Sequence, residues 1–157
     1  MFKCRHPVGI YIIFLLDSSG SMCSESQKPS NQEILEKMPN MLGAAIEAIV
    51  TFCKDREILS PKDKCSLFGF NKIAFDVYKN IDIKTHNQKE IMDSYFEKLK
   101  PDGFTKFKDA FEKAYDLILN SNINRNELIP VIILLTDGLD HGHEETIPYV
   151  KKVSYFI

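Results

Sequence analysis

The stretch DSSGSM at 17–22 closes nine residues, Val8–Leu16, that carry no charge. Asp17, Ser19 and Ser21 alternate along the chain, and in an extended segment side chains two apart turn to the same side. Oxygen donors grouped in this way do one of two things. They form a polar turn leaving a buried strand, or they hold a hard cation at the strand's tip. A second apolar run ends in the same manner, because Thr136, Asp137 and Gly138 of LLTDG follow Leu135 as Asp17 follows Leu16. A third segment, KPDGFTKF, places Thr105 just ahead of a helical pattern that begins at Phe107. Turn chemistry does not require a matched pair of strand ends, so the repetition favours three loops converging on one point.

The candidate donors are therefore Asp17, Ser19, Ser21, Thr105 and Asp137, carboxylates and hydroxyls with no imidazole or thiolate among them. Such a set selects Mg²⁺ or Mn²⁺ and does not suit zinc. Magnesium usually keeps some water, and two serines, one threonine and water-linked carboxylates leave a position for a ligand from outside. Gly20 is expected to let the backbone bend around an ion. Thr105 has a second reading as the N-cap of its helix, and the two roles are compatible.

Other chemistry is weaker. DHGHEE at 140–145 contains Asp140, His141, His143 and two glutamates that resemble a zinc set, yet such a run after a strand is more often solvated, and Glu144-Glu145 suit the first turn of a helix. An Mg²⁺-dependent phosphatase or phosphotransferase with Asp17 as nucleophile would want a general acid two residues on, where the chain has Ser19. The chain contains neither a G-x-x-x-x-G-K-[ST] phosphate loop nor a G-x-S-x-G elbow. The expectation is a protein that is not an enzyme.

The elements that would position these residues follow from the periodicity. Val8–Leu16 and Val131–Leu135, with Ile129 just before it, read as strands buried on both faces. Cys65–Phe70 and Ile73–Tyr78 read as a hairpin around Asn71-Lys72, and Val153–Ile157 as a last strand. Apolar stripes at helical spacing run from Met41 to Cys53, from Ile91 to Leu99 and from Phe107 to Ile118, the first helix starting near Pro39. Ser30-Asn31-Gln32-Glu33 has capping-box spacing and opens a short helix upstream. Strands alternating with helices predict an α/β, Rossmann-like doubly wound fold. Its central sheet is mainly parallel, with one antiparallel edge strand and helices on both faces. In such sheets, ligands sit beyond the carboxyl ends of the strands.

Composition bounds the rest. A chain of 157 residues, 44% hydrophobic and 27% charged, suits a single domain with one sizeable core. The net charge of −2 and a longest basic cluster of two, Lys151-Lys152, argue against nucleic acid. No apolar run approaches the roughly 20 residues of a membrane helix. Lys3 and Arg5 before Val8–Leu16 only faintly imitate a signal peptide, since Asp17 ends the run. Cys4, Cys23, Cys53 and Cys65 are sparse and widely spaced, as expected of reduced thiols in an intracellular, cytoplasmic protein.

Taken together, D-x-S-x-S at 17–21, the loop Thr105 and TDG at 136–138 resemble a von Willebrand factor type A domain in order and approximate spacing. The resemblance spans nearly the whole chain. It implies a metal-ion-dependent adhesion site, with Ser19, Ser21 and Thr105 as direct ligands and Asp17 and Asp137 acting through water. A protein partner would complete the shell with an Asp or Glu. Met22, Phe104, Asp140 and His141 are the expected partner-binding rim. Two departures stand out. The family often has two glycines before the loop threonine, whereas here Phe104 takes the second slot and is expected to shift the loop. Ser21 does not lead into the paired aspartates of integrin-type domains, so no second metal site is expected. The family also continues past 153–157 with another strand and helix, so the chain is expected to be a C-terminally truncated fragment of a larger multidomain protein. The expected function is metal-dependent protein–protein interaction; the alternative to it, besides catalysis, is a structural module whose ion only ties loops together.

Overall fold

The computed structural model describes residues 9–120, 127–138 and 143–154. Strand β1 (Gly9–Asp17) lies inside a four-stranded sheet of order β3-β2-β1-β4. It pairs in parallel with β2 (Lys64–Phe70) on one side and β4 (Leu128–Leu135) on the other. Strand β3 (Ala74–Asp82) runs antiparallel to β2 at the edge, as the hairpin reading predicts. The helices are α1 (Gln32–Lys37), α2 (Met41–Leu59), α3 (Lys89–Lys98), α4 (Phe107–Asn120) and α5 (His143–Ser154). No helix among the described residues is long and apolar enough to cross a membrane.

The unbroken apolar run of β1 is explained by what lies above and below it. Ile12, Phe14 and Leu16 face a core built with Ile34 of α1, Leu42, Ile46 and Ile49 of α2, and Tyr95 of α3. Tyr11, Ile13 and Leu15 face a second core with Ala110, Ala114 and Ile118 of α4. A strand with one wet face would alternate; one covered on both faces does not. Each buried leucine or isoleucine contributes about 1.5–3 kcal/mol. Cys53 and Cys65 are free thiols buried within the first core.

Helix starts follow local chemistry, with two adjustments. The α2 N-cap is Asn40, whose side chain accepts from the Gly43 N–H at 3.1 Å, so Pro39 lies just outside the helix. The α1 N-cap is Asn31, accepting from the Ile34 N–H, while Ser30 donates its hydroxyl to Glu47 of α2 at 2.6 Å.

The strand expected at Val153–Ile157 is helical where it is described. Val153 and Ser154 belong to α5, and residues 155–157 lie outside the described set. Glu144 and Glu145 sit in the first turn of α5 and Lys151 and Lys152 in its last, which matches both ends of the helix dipole. Tyr149 donates to Glu112 at 3.1 Å and Lys108 pairs with Glu145 at 3.3 Å, so α5 lies against α4.

The base of the sheet is locked by a buried carboxylate. Asp63 accepts from the Ile10 N–H and the Ser60 hydroxyl on one oxygen and from Arg56 on the other, all within 2.8 Å. This fixes the start of β1 against the turn that leads into β2.

Candidate metal centre

The carboxyl ends of β1 and β4 lie side by side. Leu16 registers with Leu135, so Asp17 and Thr136 leave the sheet together. Asp17 is fully buried, and its Oδ1 accepts the Ser19 N–H at 2.8 Å. Its Oδ2 accepts the Thr136 hydroxyl at 2.6 Å and, more distantly, that of Thr105 at 3.5 Å. Above this floor, Ser21 donates to Asp137 Oδ1 at 2.8 Å, and Ser19 Oγ lies 3.0 Å from Ser21 Oγ. Because the Ser21 proton goes to Asp137, Ser19 is the donor within the serine pair. The structure thus brings together all five predicted donors: Asp17, Ser19 and Thr105 buried, Ser21 and Asp137 exposed.

Backbone bonds hold the three loops. The Ser18 N–H donates to the Phe70 carbonyl at 2.7 Å, tying the segment to the end of β2. Asp102 N–H donates to the Ser18 carbonyl and Gly20 N–H to the Gly103 carbonyl, at 2.8 and 3.0 Å, tying it to the threonine loop. Gly20 thus serves as a backbone donor at the start of the short turn Gly20–Cys23, without a left-handed conformation. That conformation falls to Gly103, at φ +72°, where a side chain would be strained and would press on Lys72. The turn at Gly103 resolves the expected loop shift. Phe104 turns outward at 62% exposure while Thr105 stays buried and reaches Asp17.

The donor set fits a hard cation. Five oxygens and no nitrogen or sulfur converge, and Gly138 leaves room among them. A Cβ placed there would stand 3.2 Å from Thr105 Oγ1, 3.8 Å from Asp17 Oδ2 and 3.9 Å from Ser21 Oγ. The space beside this glycine is thus lined by oxygens from the other two loops. Among the described residues no group of three or more His, Cys, Asp or Glu is placed to hold a metal, so a thiolate or imidazole site has no support there.

The expected rim is altered at Met22. Met22 is 3% exposed and packs into the first core, because the short turn at Gly20–Cys23 folds it under the loop. Its side chain borders a groove of about 390 Å³ between α2 and the end of β4, beside Thr136 and Asp137. Asp140 and His141 lie outside the described residues. Thr136 is the residue that sequence reading missed. Its hydroxyl donates to Asp17 and accepts the Gly138 N–H at 3.1 Å, so it orients the central carboxylate. The signal was the register: residues directly after Leu16 and Leu135 are neighbours.

Against this geometry, the sequence matches the family model of the von Willebrand factor type A domain over residues 12–139. Among solved structures, the PilB minor pilin from Streptococcus sanguinis aligns at 24% identity with a TM-score of 0.63, over 85% of this chain and 30% of its own. The VWA domain of SpRpn10 aligns at 15% identity with a TM-score of 0.68, over 93% of this chain and 69% of its own. A von Willebrand factor type A protein from Catenulispora acidiphila aligns at 15% identity with a TM-score of 0.61, over 91% of this chain and 30% of its own. The chain thus spans about a third of the pilin and of the Catenulispora protein. At these identities the likeness concerns the fold.

Proposed function

Because the chain belongs to the von Willebrand factor type A family, we propose that it is a protein-interaction module. In this reading Asp17, Ser19, Ser21, Thr105 and Asp137 hold Mg²⁺ or Mn²⁺, and a partner's Asp or Glu completes the site. When bound, the cation supplies a hard positive charge open to one outside carboxylate. Asp17, oriented by Thr136 and the Ser19 N–H, supplies negative charge from below without reaching the surface. Ser21 and Asp137 stand at the mouth, where an incoming ligand meets them first. The observation that carries the reading is the oxygen-lined space beside Gly138.

Two features weigh against the alternatives. Both Asp17 oxygens are already engaged within the protein, which suits an electrostatic anchor better than an attacking nucleophile. The loops are also joined directly, through Ser21 to Asp137 and Thr136 to Asp17, so they need no ion merely to be tied together. Membership of a larger, multidomain assembly and an intracellular location belong to the same proposal.

The test is paramagnetic. Mn²⁺ should broaden the amide resonances of residues 17–21, 105 and 136–138 before all others, and excess Mg²⁺ should reverse the effect. A glutamate-containing peptide should then bind in Mg²⁺ and not in EDTA, and D17A should abolish both responses. Broadening spread over surface acids, or peptide capture indifferent to EDTA, overturns the reading.

A further inference from the structure

Beside the oxygen cluster, two loops form a surface that holding an ion does not require. The tip of the β2–β3 hairpin presents Ile73 at 62% exposure, and the threonine loop presents Phe104 at 62%. Neither belongs to a buried core cluster. The tip is fixed in place: Lys106 N–H donates to the Asn71 carbonyl at 3.0 Å, and Asn71 N–H to the Ile73 carbonyl at 3.1 Å. Lys72 joins the two loops. Its methylene stem lies over Gly103, where a Cβ would meet Lys72 Cε at 3.0 Å, and its Nζ stands 5.7 Å from the centre of the Phe104 ring. Lys72 and Lys106 are exposed and make no ion pair among the described residues; Asp102, also exposed, is the acid of the same loop.

An apolar pair flanked by uncompensated cations, one residue from a buried metal-facing threonine, has a definite complement. We propose that this hairpin–loop surface sets partner specificity by reading an acidic–apolar–acidic protein segment. One carboxylate would go to the ion, the apolar side chain would cover Ile73 and Phe104, and the second carboxylate would meet Lys72. The inference rests on the metal-dependent reading and narrows the partner from any exposed acid to a segment of this pattern. Lys72 suits the role because its stem lies over Gly103 and its ammonium beside Phe104, which puts its charge at the seam between the two loops.

Three blocked peptides titrated into ¹⁵N-labelled chain in Mg²⁺ test it: Gly-Glu-Gly-Ser-Gly, Gly-Glu-Leu-Ser-Gly and Gly-Glu-Leu-Glu-Gly. The leucine should tighten binding by about tenfold and the second glutamate by about threefold more. Amide shifts should extend to 72–74 and 104–106. K72M should cancel only the second gain, and I73S with F104A only the first, with the Mn²⁺ broadening pattern unchanged in each. Mg²⁺-dependent binding with equal affinity for all three peptides overturns this inference and leaves the metal reading standing. Absence of Mg²⁺-dependent binding to any of them overturns both.

Discussion

Replacing Asp17 by asparagine separates its structural from its electrostatic role. The side chain keeps its shape, and its remaining oxygen still accepts the Ser19 N–H. The new amide group faces the hydroxyls of Thr136 and Thr105, both able to accept. Exchanging charged for neutral hydrogen bonds should cost only about 1 kcal/mol of folding stability. The charge is another matter. At an assumed separation of about 4 Å and an effective dielectric near 20, one negative charge attracts a divalent ion by roughly 8 kcal/mol before desolvation. A third of that, about 2.7 kcal/mol, already lowers affinity about a hundredfold. Thermal unfolding reads the difference. At Mg²⁺ about 100 times its dissociation constant, the wild-type fold gains about 2.7 kcal/mol, worth roughly 5–11 °C in Tm for a chain of this size. Under the same conditions D17N retains about 0.4 kcal/mol, a shift of roughly 1 °C. A D17N shift equal to the wild-type one would show that the Asp17 charge does not hold the ion.

Further perturbations address other parts of the molecule. G138A adds a methyl group among the site oxygens at a position without positive φ, so Mn²⁺ broadening should weaken at least about tenfold while the urea midpoint moves by less than about 1 kcal/mol in stability. D63A strips the buried anchor from Ile10, Ser60 and Arg56 and should destabilise by about 3–5 kcal/mol in urea unfolding; a loss under about 1 kcal/mol refutes the account of that anchor. His86, fully buried against the hydroxyls of Tyr78 and Tyr95, has its pKa pulled down to about 4 by burial first and the Lys54 charge second. The unfolded chain takes up that proton below about 6.5 and the folded one only near 4, so stability falls as pH drops through this window, by roughly 3 kcal/mol in all. H86F should remove that part of the pH dependence, and an unchanged slope between pH 6.5 and 4 would contradict it.

Much of this architecture was legible because it rests on local pattern. The apolar run of β1, buried from both sides, could hardly be read otherwise, and the α2 and α4 stripes have the helical period. The β4 run was legible as a strand, but as the edge strand of the described sheet it is only half-buried over 131–135. That the oxygens at 17, 19, 21, 105 and 137 converge was legible from residue type and place at the ends of apolar runs. What escaped depends on relations between segments. Thr136 gains its role from the pairing of Leu16 with Leu135, and register is not visible in either segment alone. Met22 was placed on the surface because a turn that folds a side chain inward has no periodic signature. At Val153 and Ser154, the described start of the expected last strand, the chain is still in α5, since strand propensity is a local signal and the helix extends to Ser154.

The stitching of the site by main-chain atoms has an evolutionary consequence. Ser18 to Phe70 and Asp102, and Gly20 to Gly103, are joined through main-chain N–H and carbonyl groups, with the Ser18 hydroxyl adding a second bond to the Phe70 carbonyl at 3.2 Å. Exchange of side chains at 102, 104 and 72–73 leaves these bonds available, so the outer face is free to drift while the frame beneath it stands. A lineage of such chains can therefore change what it recognises without reinventing how it is built.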